Sequence, residues 1–258
     1  MNLLEVNNIG ISFGGVRAVN GVSFALKEGH ILSVIGPNGA GKTTLFNMLS
    51  GVYRPMTGQV LLAGQDVTGM PAHLLARRGM SRTFQNLQIF SNMTVLENVA
   101  SGFHLQEKGS LIADLLRFPS AKRRVQESED KAYELLKRVR LEQAAYRTAN
   151  ALSYGSLKRL EIARALALEP RLLLLDEPAA GCNAVETEEI EHLVAEVAES
   201  GIAILLVEHD MKMVMRISQH IVVLDHGEKI AEGTPQEVSK HPRVIEAYLG
   251  ASATEEMV

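Results

Sequence analysis

Tryptophan is absent from the 258 residues, and aromatic residues together make up only 5% of them. A surface that stacks successive nucleic-acid bases is poorly provided for. Cysteine occurs once, at Cys182, so no internal disulfide can form, which fits a reducing compartment. Long apolar runs are missing too. The longest are short, such as Ile202 to Val207, well below the ~18 residues needed to span a bilayer. Nor is charge of one sign in great excess: 26 Lys+Arg stand against 30 Asp+Glu, a net -4. No bulk cationic field is available to hold nucleic acid, which excludes that partner unless a local patch exists. The opening MNLLEVNNIG carries no basic region followed by an apolar stretch. This predicts no signal peptide and a cytosolic chain, so that work at a membrane would require docking on other subunits.

What is present is the composition of a globular protein with a substantial core, 46% hydrophobic and 22% charged. The length suits one large domain or two small ones. The first thirty residues are rich in β signals: Leu3 to Val6, then Ile11 to Phe13, a Gly14-Gly15 turn and Val16 to Phe24, which predict antiparallel pairing. His30 to Ile35 is a short apolar run before a glycine-rich loop, with a helix expected from Thr43 to Ser50 and short strands at Gln59 to Leu62 and Gly64 to Val67. Leu111 to Leu116 and Ala121 to Val139 carry helical apolar spacing among many charges, the pattern of solvated helix faces in an inserted helical segment. Thereafter helices (Ser156 to Leu168, Ala184 to Ser200, Met211 to Ile217) alternate with buried strands (Arg171 to Leu175, Ile202 to Val207, Ile221 to Asp225). That alternation predicts a parallel sheet. The small and acidic residues Ala251 to Val258 are expected to fray.

Three stretches carry chemistry. Gly36-Pro37-Asn38-Gly39-Ala40-Gly41-Lys42-Thr43 matches the phosphate-cradling pattern G-x-x-x-x-G-K-[ST] at every fixed position, between an expected strand and an expected helix. Glycines let successive backbone N–H groups turn toward phosphate oxygens, and the helix N-terminus adds partial positive charge. Lys42 supplies a full cation, Thr43 a hydroxyl for Mg²⁺, and Thr44 a further phosphate contact. In the second stretch, Leu172 to Leu175 end in Asp176-Glu177. An acid at the carboxyl end of a buried strand sits where open α/β sheets bind ligands. Asp176 is expected in the Mg²⁺ shell, and Glu177 is expected to polarise the attacking water; taken alone, one of the two acids reads equally as a helix cap. The third, Leu152-Ser153-Tyr154-Gly155-Ser156 before a helix, is either a plain N-cap or a second anion site.

With these residues in view the chain resembles the ATP-binding subunits of ABC transporters over nearly its whole length. Residues 36–43 resemble the Walker A loop, 172–177 Walker B, and Leu152 to Ser156 the family signature. Glu177-Pro178 to Asn183, including Gly181, occupy the D-loop, Val207-Glu208-His209-Asp210 the switch-histidine segment, and Gln85 in Arg82-Thr83-Phe84-Gln85 the Q-loop. Phe13 matches the aromatic that stacks on adenine. "SRTFQNLQIFSNMTVLENV", "RLEIARALA", "LLLLDEPAAG", "VEHDM" and the ending "GTPQEVSKHPRVIEAYLG" are similar to the branched-chain (hydrophobic) amino-acid importers, LivG-type, whose subunits carry the longer helical insertion. Tyr154 and Ser156 depart from the usual signature, and Asn183 stands where many relatives carry Asp.

The resemblance implies an α/β P-loop NTPase (ABC ATPase) core with an antiparallel β-subdomain and an inserted helical subdomain, all within one cassette. The β-subdomain and first part of the core would span 1–85, the helical subdomain 86–158, the rest of the core 159–235 and a C-terminal tail 236–258. It implies an ATPase using ATP and Mg²⁺ (Thr43, Gln85 and Asp176 toward the metal; Glu177, His209 and Gln85 in catalysis). It also implies a head-to-tail pair with a second ABC ATP-binding subunit, identical or related, each signature capping the partner's ATP. Two membrane-spanning permease subunits, a periplasmic or extracellular solute-binding protein and a place on the cytoplasmic face of the cell membrane complete the expectation. Part of Leu87, Ile89 and Phe90 would line a groove for a cytoplasmic helix of the permease, or else be plain core. The alternatives are an ABC ATPase for another solute such as urea or other amino acids, a non-transport ABC ATPase, and a regulatory nucleotide-binding module without turnover.

Overall fold

The computed structural model describes residues 1–105 and 119–255. The strands are β1 (Asn2–Phe13), β2 (Val16–Lys27), β3 (Ile31–Ile35), β4 (Thr57–Leu62), β5 (Gln65–Asp66), β6 (Met80–Arg82), β7 (Leu172–Asp176), β8 (Ala203–Val207), β9 (His220–Asp225) and β10 (Glu228–Gly233). The helices are α1 (Lys42–Leu49), α2 (Ala72–Arg77), α3 (Val95–Ala100), α4 (Pro119–Arg138), α5 (Tyr154–Leu166), α6 (Ala184–Glu199), α7 (Met211–Ile217), α8 (Pro235–Val238) and α9 (Pro242–Glu255). The helix expected at Leu111 to Leu116 lies outside the described residues. Of Ala251 to Val258, expected to fray, residues 251–255 continue α9 and 256–258 lie outside the described residues. No helix among the described residues is long and apolar enough to cross a membrane.

Two sheets form. The first is antiparallel, ordered β2-β1-β4-β5; the second is ordered β10-β9-β3-β8-β7-β6. In the second, β9, β3, β8, β7 and β6 run parallel and β10 closes one edge antiparallel to β9. The two early strand signals merge into one strand, β1, because a bulge and not a turn separates them. Register shifts between Val6 and Ile9, Asn8 takes a positive φ of 51°, and its N–H donates to Ser23 Oγ at 2.7 Å. The extra residue is absorbed without ending the pairing.

Every residue of β3, β7 and β8 is buried, as strands covered on both faces must be. Alternation then sends their side chains to two cores. Leu173, Leu175, Ile204 and Leu206 join Leu136 of α4, Leu160 of α5 and Ile190 of α6. Leu172, Leu174, Leu205 and Val207 join Leu45 and Phe46 of α1 and the inner face of β1 and β2. A third cluster sets Ile35, Ile221 and Val223 against Val214 of α7, Val238 of α8 and Val244 of α9. The carboxyl ends of β3, β7 and β8 are thereby held side by side, which is what the site requires.

Candidate functional site

The glycine-rich loop leaves the end of β3 and enters α1. Two of its glycines are obligatory. A Cβ on Gly36 would lie 2.1 Å from the Leu224 carbonyl oxygen, and one on Gly41, at φ +99°, would lie 2.5 Å from the Ala18 carbonyl oxygen. Larger residues would push the loop off its supports. The loop lines an open cleft of about 600 Å³, with Asn38, Gly39, Ala40, Gly41, Lys42, Thr43 and Thr44 on one wall. Val16, Arg17 and Ala18 from the β1–β2 hairpin, and His226 and Gly227 from the β9–β10 turn, form others. Lys42 is buried, and its Nζ donates to the carbonyl oxygens of Gly36 at 2.7 Å and Pro37 at 3.0 Å. Burial lowers its pKa from the ordinary lysine value, while the charge of Glu177 pulls it back up. Beneath the loop, the phenol of Tyr248 in α9 meets the Gly36 backbone, and burial pushes its pKa up to about 12.

Across the cleft stand Gln85, Glu177 and His209. They come from three loops, after β6, β7 and β8, and meet at one carboxylate. Glu177 Oε2 accepts from Gln85 Nε2 at 3.0 Å, and Glu177 Oε1 lies 2.6 Å from His209 Nε2. Glu177 itself takes a positive φ of 51°. Such a conformation costs ~1–3 kcal/mol and persists only where its surroundings hold it. Here its N–H donates to Val207 O at 2.9 Å, and its carbonyl oxygen accepts from Lys158 Nζ at 3.3 Å. Neither acid of the pair caps the next helix; Asn183 does, through Val185 and Glu186 N–H, both at 3.0 Å.

Asp176, the last residue of β7, is 3% exposed and paired with Arg82, whose NH2 donates to its Oδ2 at 2.8 Å. The same guanidinium donates to Asn47 Oδ1 at 2.8 Å and Ser50 Oγ at 2.6 Å. Arg82 thus joins β6, β7 and the phosphate-loop helix. The signature residues lie apart from the cleft lining and gather around Glu186. The helix begins at Tyr154, two residues earlier than expected, with Ser153 as its N-cap. Glu186 Oε1 accepts from Gly155 N–H and Ser153 Oγ, both at 3.2 Å, and the Ser156 N–H donates to Ser153 Oγ at 3.3 Å. Leu152 packs against the adjoining core. The Tyr154 ring covers Gly181, where a Cβ would lie 3.0 Å from it. Phe13 is not in the cleft lining. It is 46% exposed and packs edge-on against Tyr53, ring centroids 5.3 Å apart.

Arg82, Glu186 and Glu208 were not singled out from the sequence. Each has a partner far away in the chain: Asp176 for Arg82, 94 residues off, Gly155 for Glu186, 31 residues off, and Ala179 for Glu208, 29 residues off. For Arg82 and Glu208 only the bias against burying an unpaired charge points to them, and that signal needs a structure; Glu186 had a local one, the Asn183-x-x-Glu186 capping box at the start of α6.

The chain is similar to known proteins along most of its length. The family described as ABC transporter matches residues 19–180, and one described as branched-chain amino acid ATP-binding cassette transporter matches residues 228–254. The chain is 47% identical over 249 residues to the high-affinity branched-chain amino acid transport ATP-binding protein LivG of Escherichia coli K12, and 45% identical to the corresponding BraF of Pseudomonas aeruginosa. Each match covers 96% of this chain and 98% of the relative. Among solved structures, the ADP conformation of MJ1267, an ATP-binding cassette of an ABC transporter, is similar with a TM-score of 0.85 at 33% identity, over 97% of this chain and 99% of that one. The dimeric cassette MJ0796 gives 0.74 at 27% identity, over 90% and 98%. Matches that run through hairpin, phosphate loop and C-terminal helix alike leave one assignment: the chain belongs to the ABC transporter family, as an ATP-binding subunit that hydrolyses ATP.

Proposed function

We propose that this subunit powers an importer of branched-chain or other hydrophobic amino acids, closing with a second cassette around ATP and reopening after hydrolysis. The observation that carries the chemistry is the meeting of Gln85, Glu177 and His209 across the cleft from Lys42; the relatives' transport of branched-chain amino acids supports the solute class. In this reading residues 36–44 cradle the phosphates, with Lys42 countering their charge. Glu177 accepts the proton of the attacking water, held in orientation by Gln85 and His209, and His209 reaches toward the γ-phosphate. Phe13, paired with the cleft-lining Val16 across the β1–β2 hairpin, is assigned to adenine, for which its half-exposed ring is the support.

The donor set fits Mg²⁺. Thr43 hydroxyl, Gln85 amide oxygen and Asp176 carboxylate are hard oxygen ligands; Thr43 and Gln85 line the cleft, whereas Asp176 is not in its lining and is paired with Arg82. Among the described residues no cluster of three His, Cys, Asp or Glu could hold a metal ion. Bound there, it would offset phosphate charge.

The signature, Leu152 to Ser156, is assigned to the partner's ATP, since Ser153 and Gly155 already hold an anionic carboxylate. The helical subdomain is assigned to 86–158. Its partners are a second cassette, two permease subunits on the cytoplasmic face of the membrane and, through them, a solute-binding protein. Glu177→Gln tests the chemistry. Hydrolysis falls by about 10²-fold or more while ATP still binds, and ATP then yields a stable dimer in size-exclusion chromatography. Normal turnover by this variant removes Glu177 as the base.

A further inference from the structure

Glu208 is 3% exposed, and its carboxylate bridges two loops. One oxygen, Oε1, accepts the Ala179 N–H at 2.8 Å, from the loop after β7. The other, Oε2, accepts the His209 N–H at 2.9 Å and the Asp210 N–H at 3.5 Å, from the loop after β8. Those loops carry Glu177 and His209, whose contact at 2.6 Å forms the hydrolytic side of the cleft. The parallel pairing of β7 with β8 aligns Asp176 with Val207, but it stops there. Beyond the last ladder bond, Glu177 N–H to Val207 O, the relative height of the two loops is set by what joins them directly.

From this we infer that Glu208 is a positioning residue for ATP hydrolysis, fixing the offset between the Glu177 and His209 loops through one carboxylate oxygen to each. The chemistry suits the task. Short bonds from backbone N–H to a carboxylate are charge-assisted and directional, and a buried acceptor locks its donors more firmly than an exposed one. Burial raises the pKa of Glu208 and the charge of Glu177 raises it further, while the three N–H groups lower it. A group that served packing alone would not need a carboxylate facing these opposing demands. The inference rests on the assignment of Glu177 and His209 to hydrolysis.

The experiment compares Glu208→Ala, Glu208→Gln, His209→Ala and Glu208→Ala/His209→Ala in the full chain, reading kcat and KM for Mg-ATP, nucleotide affinity by calorimetry and the thermal melt. Misplacement of catalytic groups by an ångström costs up to about 10²-fold. Glu208→Ala is expected to lower kcat by about 10-fold or more with ATP affinity within about 2-fold, because no phosphate contact is touched. Glu208→Gln keeps an acceptor oxygen on one loop and recovers part of kcat. The double variant loses no more than His209→Ala alone, since both act on one contact. Wild-type kcat in Glu208→Ala while His209→Ala is impaired overturns the positioning role. Wild-type kcat in both removes the underlying assignment instead. If Glu208→Ala does not fold, Glu208→Gln decides: wild-type kcat overturns the proposal, and a drop in kcat at constant affinity supports it.

Discussion

Replacing Arg82 by Met keeps an unbranched stem and removes the guanidinium. Three charge-assisted bonds go with it, to Asp176, Asn47 and Ser50, together with cation–π contacts to Phe46 at 5.8 Å and Phe84 at 5.1 Å. At ~1.5–3 kcal/mol per bond to a charged group, a simple sum would exceed ~5 kcal/mol. That sum overstates the loss. Arg82 is itself buried, its Nε has no hydrogen-bond partner, and its desolvation costs several kcal/mol. What decides the outcome is the group left behind. The Asp176 side chain, 3% exposed, loses its cation, and orphaning one member of a buried pair costs ~3–5 kcal/mol. Arg82→Met is therefore expected to lose about 3–5 kcal/mol of unfolding free energy in urea. The variant Arg82→Met/Asp176→Asn, in which the stranded charge is neutralised, should be more stable than Arg82→Met alone. A loss below about 1 kcal/mol, or a double variant that simply adds the two single losses, refutes the reasoning.

Lys42→Ala removes the full cation of the phosphate loop and should weaken ATP binding at least ~10-fold, from a charge-assisted contact worth ~1.5–3 kcal/mol; titration calorimetry showing unchanged affinity would contradict it. Phe90 is 50% exposed, beneath the Arg164 guanidinium at 4.7 Å, whereas Ile89 packs partly buried against the core. Phe90→Asp should thus fold, bind ATP and fail to support solute uptake in reconstituted vesicles, while Ile89→Asp should show a lowered melt; full uptake by a folded Phe90→Asp protein would sink the permease-docking reading. Tyr248 keeps its proton in the folded state up to about pH 12, whereas the unfolded chain ionises near 10. The folded chain then holds more protons between those values, so stability falls as pH rises through that window. Relative to Tyr248→Phe, the parent should lose up to about 3 kcal/mol there, and parallel curves for the two proteins would refute the assignment.

Much of the site was legible because its signals are local. The loop 36–43 is contiguous, and β3, β7 and β8 show themselves as apolar runs because both their faces are covered. The edge strands did not. Met80–Arg82 is three residues long with a serine and an arginine, and Glu228–Gly233 is exposed or half-exposed at three of six positions. Neither has a run or an alternation to read. Leu3 to Val6 and Ile11 to Phe13 gave two strand signals where the structure has one, because the residues between them form a bulge, and bulges and turns draw on the same residue types. Glu208 and Arg82 escaped notice for a different reason: each gains its meaning from a backbone or a charge that the β6-β7-β8 order brings close; Glu186 does so from the packing of α6 against the start of α5.

The position of β6 at the free edge of the six-stranded sheet has a mechanical consequence. It is bonded on one side only, to β7, through Met80, Ser81 and Arg82. The chain that follows carries Gln85 to the Glu177 carboxylate and then Phe90 to the surface. A pull on Phe90 from outside would load a strand that can peel without tearing the sheet's interior, and the Arg82 clasp on Asp176 sets how far it can travel. Amide exchange should register this as a gradient, fastest in residues 80–90 and slowest in β3 and β8, so that the edge of the sheet serves as its hinge.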